Sequence, residues 1–515
     1  MENRPNILFI LADQHNAKVL GHAGHPNVRT PTLDRLAAEG VRFTDATTQN
    51  PICTPSRMCF LSGQYCHNHG YYGLSGPHPG GLPTFLGHFR RHGYLTGAIG
   101  KIHCPEYWVE DDSDIFHETC DCSIGGRSKA YEQFLRERGN LHLEDHIGLT
   151  EFGDRGIQSM EGRPSPLAFD ESQEGWIANQ TVAAMQQAQA AGRPFCLHAS
   201  LPRPHQCTSP CREFWDLYEG VDLALPPNAD RDLTGQAPNL IQTVNWWRTG
   251  DWTLLEPKTF AAARLRKLRG YLGAISQVDH AVGVMLDAVR RLGLADNTIV
   301  VYSADHGDYA CEHGVMEKAP GICHDAITRI PMLWWAPGRV KAGHVAHELV
   351  ETVDVSATLC RLAGLEPMET SDGHDLSHLL AGGAGAVRQL AVTEFAWSRA
   401  VRQGRWRLVW YADEYFPKEY PAGFGELYDL DADPWELRNL YFEPGCRDTV
   451  AALKAALLNW LVTTTRPATV HGLDDTRAAT SGNWQRQLRY THLPNADGKV
   501  NPSRLRTELS HRNYL

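Results

Sequence analysis

The sequence contains no apolar run approaching the ~18 residues of a membrane span. It has no Cys-x-x-Cys pair, no internal repeat, no low-complexity segment and no Gly/Pro period. The last two absences exclude a fibre, and 21% charged against 42% hydrophobic residues is too little charge for a disordered chain. Basic residues are not in excess: the net charge is −11 and the pI about 6.1. A general nucleic-acid or membrane-surface binder is therefore not expected, because both targets are polyanions that reward basic stripes. A local basic pocket stays open. The first apolar run, Asn6 to Ala12, is short, lacks a small-residue cleavage site and ends at Asp13, so it reads as a buried strand and not as a signal peptide. The expectation is a soluble, cytoplasmic protein. Thirteen cysteines, an odd count without repeating spacing, fit free thiols in a reducing compartment better than a disulfide framework. With 515 residues, about 150 per domain allows two or three domains, and no disulfide or metal is needed to hold such a chain together.

What is present is an alternation of short apolar runs with helix-like stretches, the pattern of βα units around a largely parallel sheet. Strands are expected at 6–12, 95–99, 194–200 and 297–303, and helices at 30–39, 82–92, 173–191 and 265–292. Thr30 stands where a helix cap belongs, with Pro31 in the first turn and Gly40 at the end. Asp13 and Asp305 both follow strands, at the carboxyl ends where ligand sites collect in open α/β sheets. Residues 205–260, rich in Pro, Trp and Asp, form a long irregular insertion suited to a substrate mouth. Beyond about residue 380 the texture changes. Residues 1–380 read as an α/β catalytic domain, 381–385 as a linker, and 386–481 as a smaller α+β domain with short antiparallel strands and a helix at 449–463. Residues 482–515 form an irregular tail that lies either on its own subunit or at a subunit interface.

The stretch from Pro51 to Gly63 is the most informative. A cysteine in a Pro-bracketed turn, Cys53, is followed by Pro55, Arg57 and an apolar helix-like run, which places a thiol and a fixed cation at a helix N-terminus that favours anions. Unaided chemistry suggests a cysteine nucleophile. The residues match the Cys-x-Pro-x-Arg signature, and the chain here resembles the type I, formylglycine-dependent sulfatases of the alkaline-phosphatase superfamily. Further motifs come in that family's order: Ile7 to Gln14, Gly100-Lys-Ile-His103, Pro202-Arg-Pro-His205, Ser303-Ala-Asp-His-Gly307 and Gly314-Val-Met-Glu-Lys318. Leu427 to Asn439 also resembles the family's C-terminal segment.

The resemblance implies an alkaline-phosphatase-like fold: a large mixed, mostly parallel sheet flanked by helices, with a smaller C-terminal α+β domain. It implies that Cys53 is oxidised to formylglycine by a formylglycine-generating enzyme, and that the hydrated aldehyde supplies the nucleophilic oxygen. Asp13, Asp305 and His306, with the converted Cys53, would hold one divalent cation, Ca²⁺ or Mn²⁺. Arg57 would orient the diol, and Lys101 and Lys318 would bind the anionic oxygens. His103 would be the base that releases sulfate, and His205 would protonate or steady the leaving oxygen. The expected reaction is hydrolysis of a small anionic sulfate ester, without nucleic-acid or membrane partners, by a homo-oligomer. A phosphonate monoester or phosphodiester hydrolase using the same apparatus is the nearest rival, and a silent binding protein with unconverted Cys53 is the rival of another class.

Two departures narrow the resemblance. Gln14 replaces a second aspartate after the first strand, and His306 follows Asp305 where many relatives have asparagine. This pattern is similar to the cytoplasmic choline-sulfatase and phosphonate-monoester-hydrolase branches, and an imidazole donor shifts preference from strict Ca²⁺ toward Mn²⁺. Gln14 itself is either an amide ligand or a support. Cys66 to His69, Cys120 with Cys122 and Cys207 with Cys211 read as loop cysteines and surface histidines in preference to zinc ligands. Trp246, Trp247 and Trp252 read as packing of the insertion in preference to an aromatic cage.

Overall fold

The computed structural model describes residues 4–74, 79–119, 129–143, 162–206, 208–250, 252–253, 255–318 and 322–466. The expected tail at 482–515, and Cys120, Cys122 and Cys207, lie outside the described residues. Among the described residues no helix is long and apolar enough to cross a membrane.

Nine strands form one sheet: β1 (Asn6–Asp13), β2 (Val41–Thr47), β3 (Leu95–Gly100), β4 (Ile115–Glu118), β5 (Phe195–Pro204), β6 (Thr298–Ala304), β7 (Arg329–Trp335), β8 (His344–Ala346) and β9 (Val350–Glu351). The order is β4-β3-β5-β1-β6-β7-β2-β8, with β9 also on β2, and only β7 runs antiparallel to its neighbours. Every residue of β1 is buried, and the side chains alternate between two cores. Ile7, Phe9 and Leu11 face the core shared with helices Cys53–Ser62, Phe85–Arg91 and Asp354–Leu362. Leu8, Ile10 and Ala12 face the core under helices Pro31–Glu39, Gln173–Ala190 and Phe260–Arg291. A strand covered on both faces needs apolar residues at every position, which explains the unbroken run in the sequence.

A second, four-stranded antiparallel sheet comprises β10 (Ala391–Phe395), β11 (Ser398–Gln403), β12 (Trp406–Tyr411) and β13 (Gly425–Asp429), backed by helix Arg447–Thr464. The expected mixed, mostly parallel sheet flanked by helices, with a smaller antiparallel part after it, is the observed architecture. Individual expectations fare differently. Residues 205–260 are not wholly irregular, since helices Arg212–Asp216 and Pro238–Thr249 lie within them. Thr30 occupies the cap position of helix Pro31–Glu39 but makes no side-chain cap bond. The free N–H groups of Thr32 and Leu33 instead donate to the Asp279 carboxylate on helix Phe260–Arg291, at 3.1 and 2.7 Å. Trp247 packs edge-on between Trp246 and Trp252 with centroids 4.9 and 4.8 Å away, so these rings fill the insertion's core and form no cage.

Candidate active site

Four adjacent parallel strands, β3, β5, β1 and β6, end at one height. Gly100 pairs with Ser200, Asp13 with Pro204 after a register shift, and Ala12 with Ala304. The residues just beyond these ends are Lys101 and His103 after β3, His205 after β5, and Asp305 and His306 after β6, with Asp13 closing β1. Gly100 has φ +111, and a Cβ there would stand 1.9 Å from the Ser200 carbonyl oxygen, so only glycine lets β3 close on β5 and turn Lys101 inward. The start of helix Cys53–Ser62 reaches these ends through Arg57, while its Phe60 packs on Phe9 at the sheet's face. Asn50 accepts the Ile52 N–H at 2.9 Å just before the first turn, and Pro55 sits in that turn where no N–H is needed. All ten residues of the helix are buried, Arg57 included.

Burying a guanidinium requires full pairing. Arg57 donates from Nη2 to Asp13 Oδ2 at 2.8 Å and from Nε to Asp305 Oδ2 at 2.9 Å. Its Nη1 donates to the Lys101 carbonyl at 2.5 Å and to Ser200 Oγ at 2.7 Å. Arg57 therefore locks the two carboxylates together from behind. Lys101 Nζ adds a 2.7 Å ion pair to Asp13 Oδ2. Burial opposes the charge on Asp13, but Lys101, then His205 and Arg57, outweigh it and hold the carboxyl well below the usual range. Asp305 Oδ1 accepts the backbone N–H groups of Gln14 (3.0 Å) and His306 (2.9 Å).

The Cys53 thiol faces this pair. Its Sγ lies 3.2 Å from His306 Nε2 and 3.9 Å from Asp13 Oδ1. The donor atoms of Asp13, Cys53, Asp305 and His306 all lie within 4.8 Å of one another. His306 Nδ1 is 2.9 Å from the Gly307 carbonyl, which can only accept, so Nδ1 carries a ring proton and Nε2 is the nitrogen turned to the cluster. Burial opposes the ring's charge, but Asp305 and Cys53 raise His306 to about 9. Two carboxylates, one correctly oriented imidazole and the side chain at position 53 make a donor set suited to a divalent cation.

On the open side, Lys318 Nζ donates to Gln14 Oε1 at 2.7 Å and to His205 Nε2 at 3.1 Å. Burial works against the Lys318 charge, but Cys53, Glu317 and Asp13 raise it above the ordinary lysine value. His205 Nδ1 faces the Gln206 carbonyl at 2.7 Å, which leaves Nε2 as an acceptor. Burial first, then Lys101 and Lys318, push His205 well below the ordinary histidine value. Burial, Lys101 and Arg57 do the same to His103, a residue with φ +50, outside the usual range for a side-chain-bearing residue.

All ten residues singled out from the sequence thus lie about this one site, and the contacts of two of them add detail. Arg57 spends four hydrogen bonds on carboxylates and scaffold, so it organises the donor set more than it touches an incoming group. Gln14, with φ +67, has both amide atoms engaged: Oε1 by Lys318, and Nε2 by Asp308 Oδ2 at 2.5 Å. It stands outside the metal-donor group and acts as a support for Lys318. Asp308 went unnoticed in the sequence, although its place two residues after His306 marked it. Cys66 and His69 also differ: they are buried beneath helix Cys53–Ser62 and grouped with Cys59, not surface residues.

Comparison with known proteins gives a match to the family described as "Sulfatase" over residues 5–365, and to "N-sulphoglucosamine sulphohydrolase, C-terminal" over residues 311–462. A choline-sulfatase of Rhizobium meliloti (strain 1021) is 27% identical over 450 residues, which cover 86% of this chain and 83% of the relative. A steryl-sulfatase of Rattus norvegicus is 31% identical over 422 residues, covering 73% and 70%. Among solved structures, a phosphonate monoester hydrolase from Silicibacter pomeroyi superposes with a TM-score of 0.72 at 23% identity, covering 90% of this chain and 96% of that one.

Proposed function

Because the chain belongs to the sulfatase family, we propose that it hydrolyses a small sulfate ester to its alcohol and sulfate, after a formylglycine-generating enzyme has converted Cys53 to formylglycine. The observation that carries this reading is the convergence of Asp13, Asp305 and His306 on position 53, with Lys101, Lys318 and His205 beside it. When present, the hydrated aldehyde supplies the nucleophilic oxygen, and a divalent ion, Ca²⁺ or Mn²⁺, lowers its pKa and polarises the ester. Asp13, Asp305 and His306 would hold that ion.

The chain's own residues do the rest. Arg57 fixes the two carboxylates so that the donor set does not rearrange as charge shifts during the reaction. Lys101 and Lys318 draw the anionic oxygens into a pocket that the protein's net charge alone would repel. His103, held neutral, accepts a proton from the second hydroxyl at position 53. His205 Nε2 accepts a hydrogen bond from Lys318, and a proton moved from Lys318 Nζ to Nε2 and on to the leaving oxygen completes ester cleavage, with Lys318 regaining a proton from solvent.

The same cations read a phosphonate or phosphodiester equally well, so substrate charge does not separate the two reactions. Parallel assays of an aryl sulfate and an aryl phosphonate monoester do. The proposal expects the larger kcat/KM for the sulfate; a much larger value for the phosphonate would move the protein to the rival reaction.

A further inference from the structure

Among the described residues three buried groups of side chains bring metal-type donors together, and histidine tautomers separate them. In the group Cys59, Cys66 and His69, the Tyr71 backbone N–H donates to His69 Nδ1 at 3.1 Å. The ring proton is therefore on Nε2, pointing at Cys59 Sγ 3.3 Å away, and no lone pair faces the group. In the group His313, His324 and Glu436, Arg231 Nη1 donates to His313 Nδ1 at 2.8 Å. An arginine keeps its protons, so His313 Nε2 also carries hydrogen. In the group Asp13, Cys53, Asp305 and His306, by contrast, the Gly307 carbonyl takes the Nδ1 proton of His306, so Nε2 is the nitrogen that faces the group and can give up its proton to a metal ion.

That third group has a property that depends on which side chain occupies position 53. As a thiol, Cys53 completes an S,N,O,O set. Zinc bonds of about 2.3 Å to sulfur and about 2.0–2.1 Å to nitrogen or oxygen put neighbouring ligands of a tetrahedron about 3.3–3.6 Å apart. The Cys53 Sγ–His306 Nε2 separation is 3.2 Å, Cys53 Sγ–Asp13 Oδ1 is 3.9 Å, and His306 Nε2–Asp305 Oδ1 is 3.8 Å. Shifts of a few tenths of an ångström bring these into line. The charges also suit: Arg57 and Lys101 pair with the outer carboxylate oxygens and offset part of the negative charge of two carboxylates and a thiolate.

We propose that the unconverted chain is a closed, four-ligand site for one thiophilic divalent cation of the zinc or cadmium type, and that conversion of Cys53 changes the site's metal preference by removing its sulfur. Binding releases to solvent the thiol proton and any proton on His306 Nε2, and forms a metal–sulfur and a metal–nitrogen bond; no redox step is involved. With four protein ligands the ion has no open position, so this form binds metal without activating anything. After conversion an oxygen replaces the sulfur, and the set becomes one for harder ions. The thiophilic site rests on the four side chains alone, so a chain without esterase activity would still carry it, whereas the change on conversion rests on the proposed formylglycine at position 53.

The test uses full-length wild-type protein prepared with differing fractions of unconverted Cys53, each fraction measured by peptide mass. After chelation and dialysis, each preparation is titrated with Cd²⁺ and followed by the thiolate-to-cadmium charge-transfer absorption, with Zn²⁺ as competitor. The expected result is a saturating band whose amplitude tracks the unconverted fraction, is abolished by Zn²⁺, and survives in C59S and C66S. H306A should weaken Cd²⁺ binding by about tenfold or more. A band that is absent from fully unconverted protein, or whose amplitude is independent of the converted fraction, would overturn the proposal. Because the readout is absorption by metal-bound thiolate, failure here is separable from a failure to hydrolyse sulfate esters.

Discussion

Lys318 joins the two halves of the pocket, because one ammonium touches both the Gln14 amide and the His205 ring. That contact gives His205 a definite role: its lone pair is held ready beside a proton donor at the place of the leaving oxygen. H205A is therefore expected to lower kcat/KM by about 10²–10³-fold for an alkyl sulfate, whose leaving oxygen needs a proton. An aryl sulfate with an acidic phenol should lose much less, and equal losses across a leaving-group series would remove His205 from that role. At this scale the sequence was highly legible for chemistry. Cys53, Arg57 and the histidines stand in motifs, and the structure brings them together. Gln14 was not resolved between ligand and support, because an amide can serve as either. The decision came from Lys318 and Asp308, which lie about three hundred residues away in sequence.

Among the elements, helix Pro31–Glu39 shows how a local rule is overridden. The sequence offers Thr30 as its cap, but the Thr30 hydroxyl donates to Asp34 at 3.1 Å, and Asp279 from another helix takes the exposed N–H groups. Burial lifts the Asp279 carboxyl to about 7, although the two N–H bonds pull it downward. An acid whose value is about 4 in the unfolded chain and about 7 in the fold binds its proton more tightly when folded. Its contribution is therefore full below about pH 4 and declines as the pH rises to about 7. In D279N this decline is absent, so the stability of the wild type relative to D279N should fall across that window. Calorimetric melting of both proteins from pH 5 to 8 measures it, and a wild-type advantage that grows with pH would contradict the assignment. Strand β7 was hidden for a related reason. Pro331 argues against a central strand, but β2 pairs Phe43 with Met332 and then Ala46 with Ile330, so Pro331 falls in a bulge where its missing N–H breaks no ladder.

For the whole molecule, the smaller sheet is part of the active-site scaffold. The Glu394 N–H donates to the Gln49 carbonyl at 2.7 Å, and Asn50 Nδ2 donates to the Glu394 carbonyl at 2.7 Å, which fixes the chain just before Cys53. Arg407 on β12 pairs with Asp325 at 2.7 Å and with Glu436 at 3.2 Å, and its Nη1 donates to Thr328 at 2.6 Å. Burial opposes the charge on Asp325, but Arg329, then Arg407 and Lys18, hold it down. The anchored segment Asp325–Thr328 in turn receives the Gly307 N–H at the Ile327 carbonyl, 2.8 Å away and next to His306. Removing one partner of a buried pair leaves a charge uncompensated, so R407A should cost about 3–5 kcal/mol. It should also lower kcat, with R407K restoring part of both; urea unfolding and steady-state kinetics check this, and an unaffected kcat in folded R407A would sever the smaller sheet from the site. The composition and strand pattern foretold two parts of different texture. They did not foretell that the second braces the first, because such contacts have no local signature.

One side chain, at position 53, decides the proposed chemistry. The tryptic peptide running from Phe43 to Arg57, taken from fully active native protein, carries position 53 and no internal cleavage site. Its mass should be that of an aldehyde or its hydrate in place of the thiol, and it should resist alkylation. A fully active preparation whose peptide carries an intact, alkylatable Cys53 would contradict the proposed chemistry.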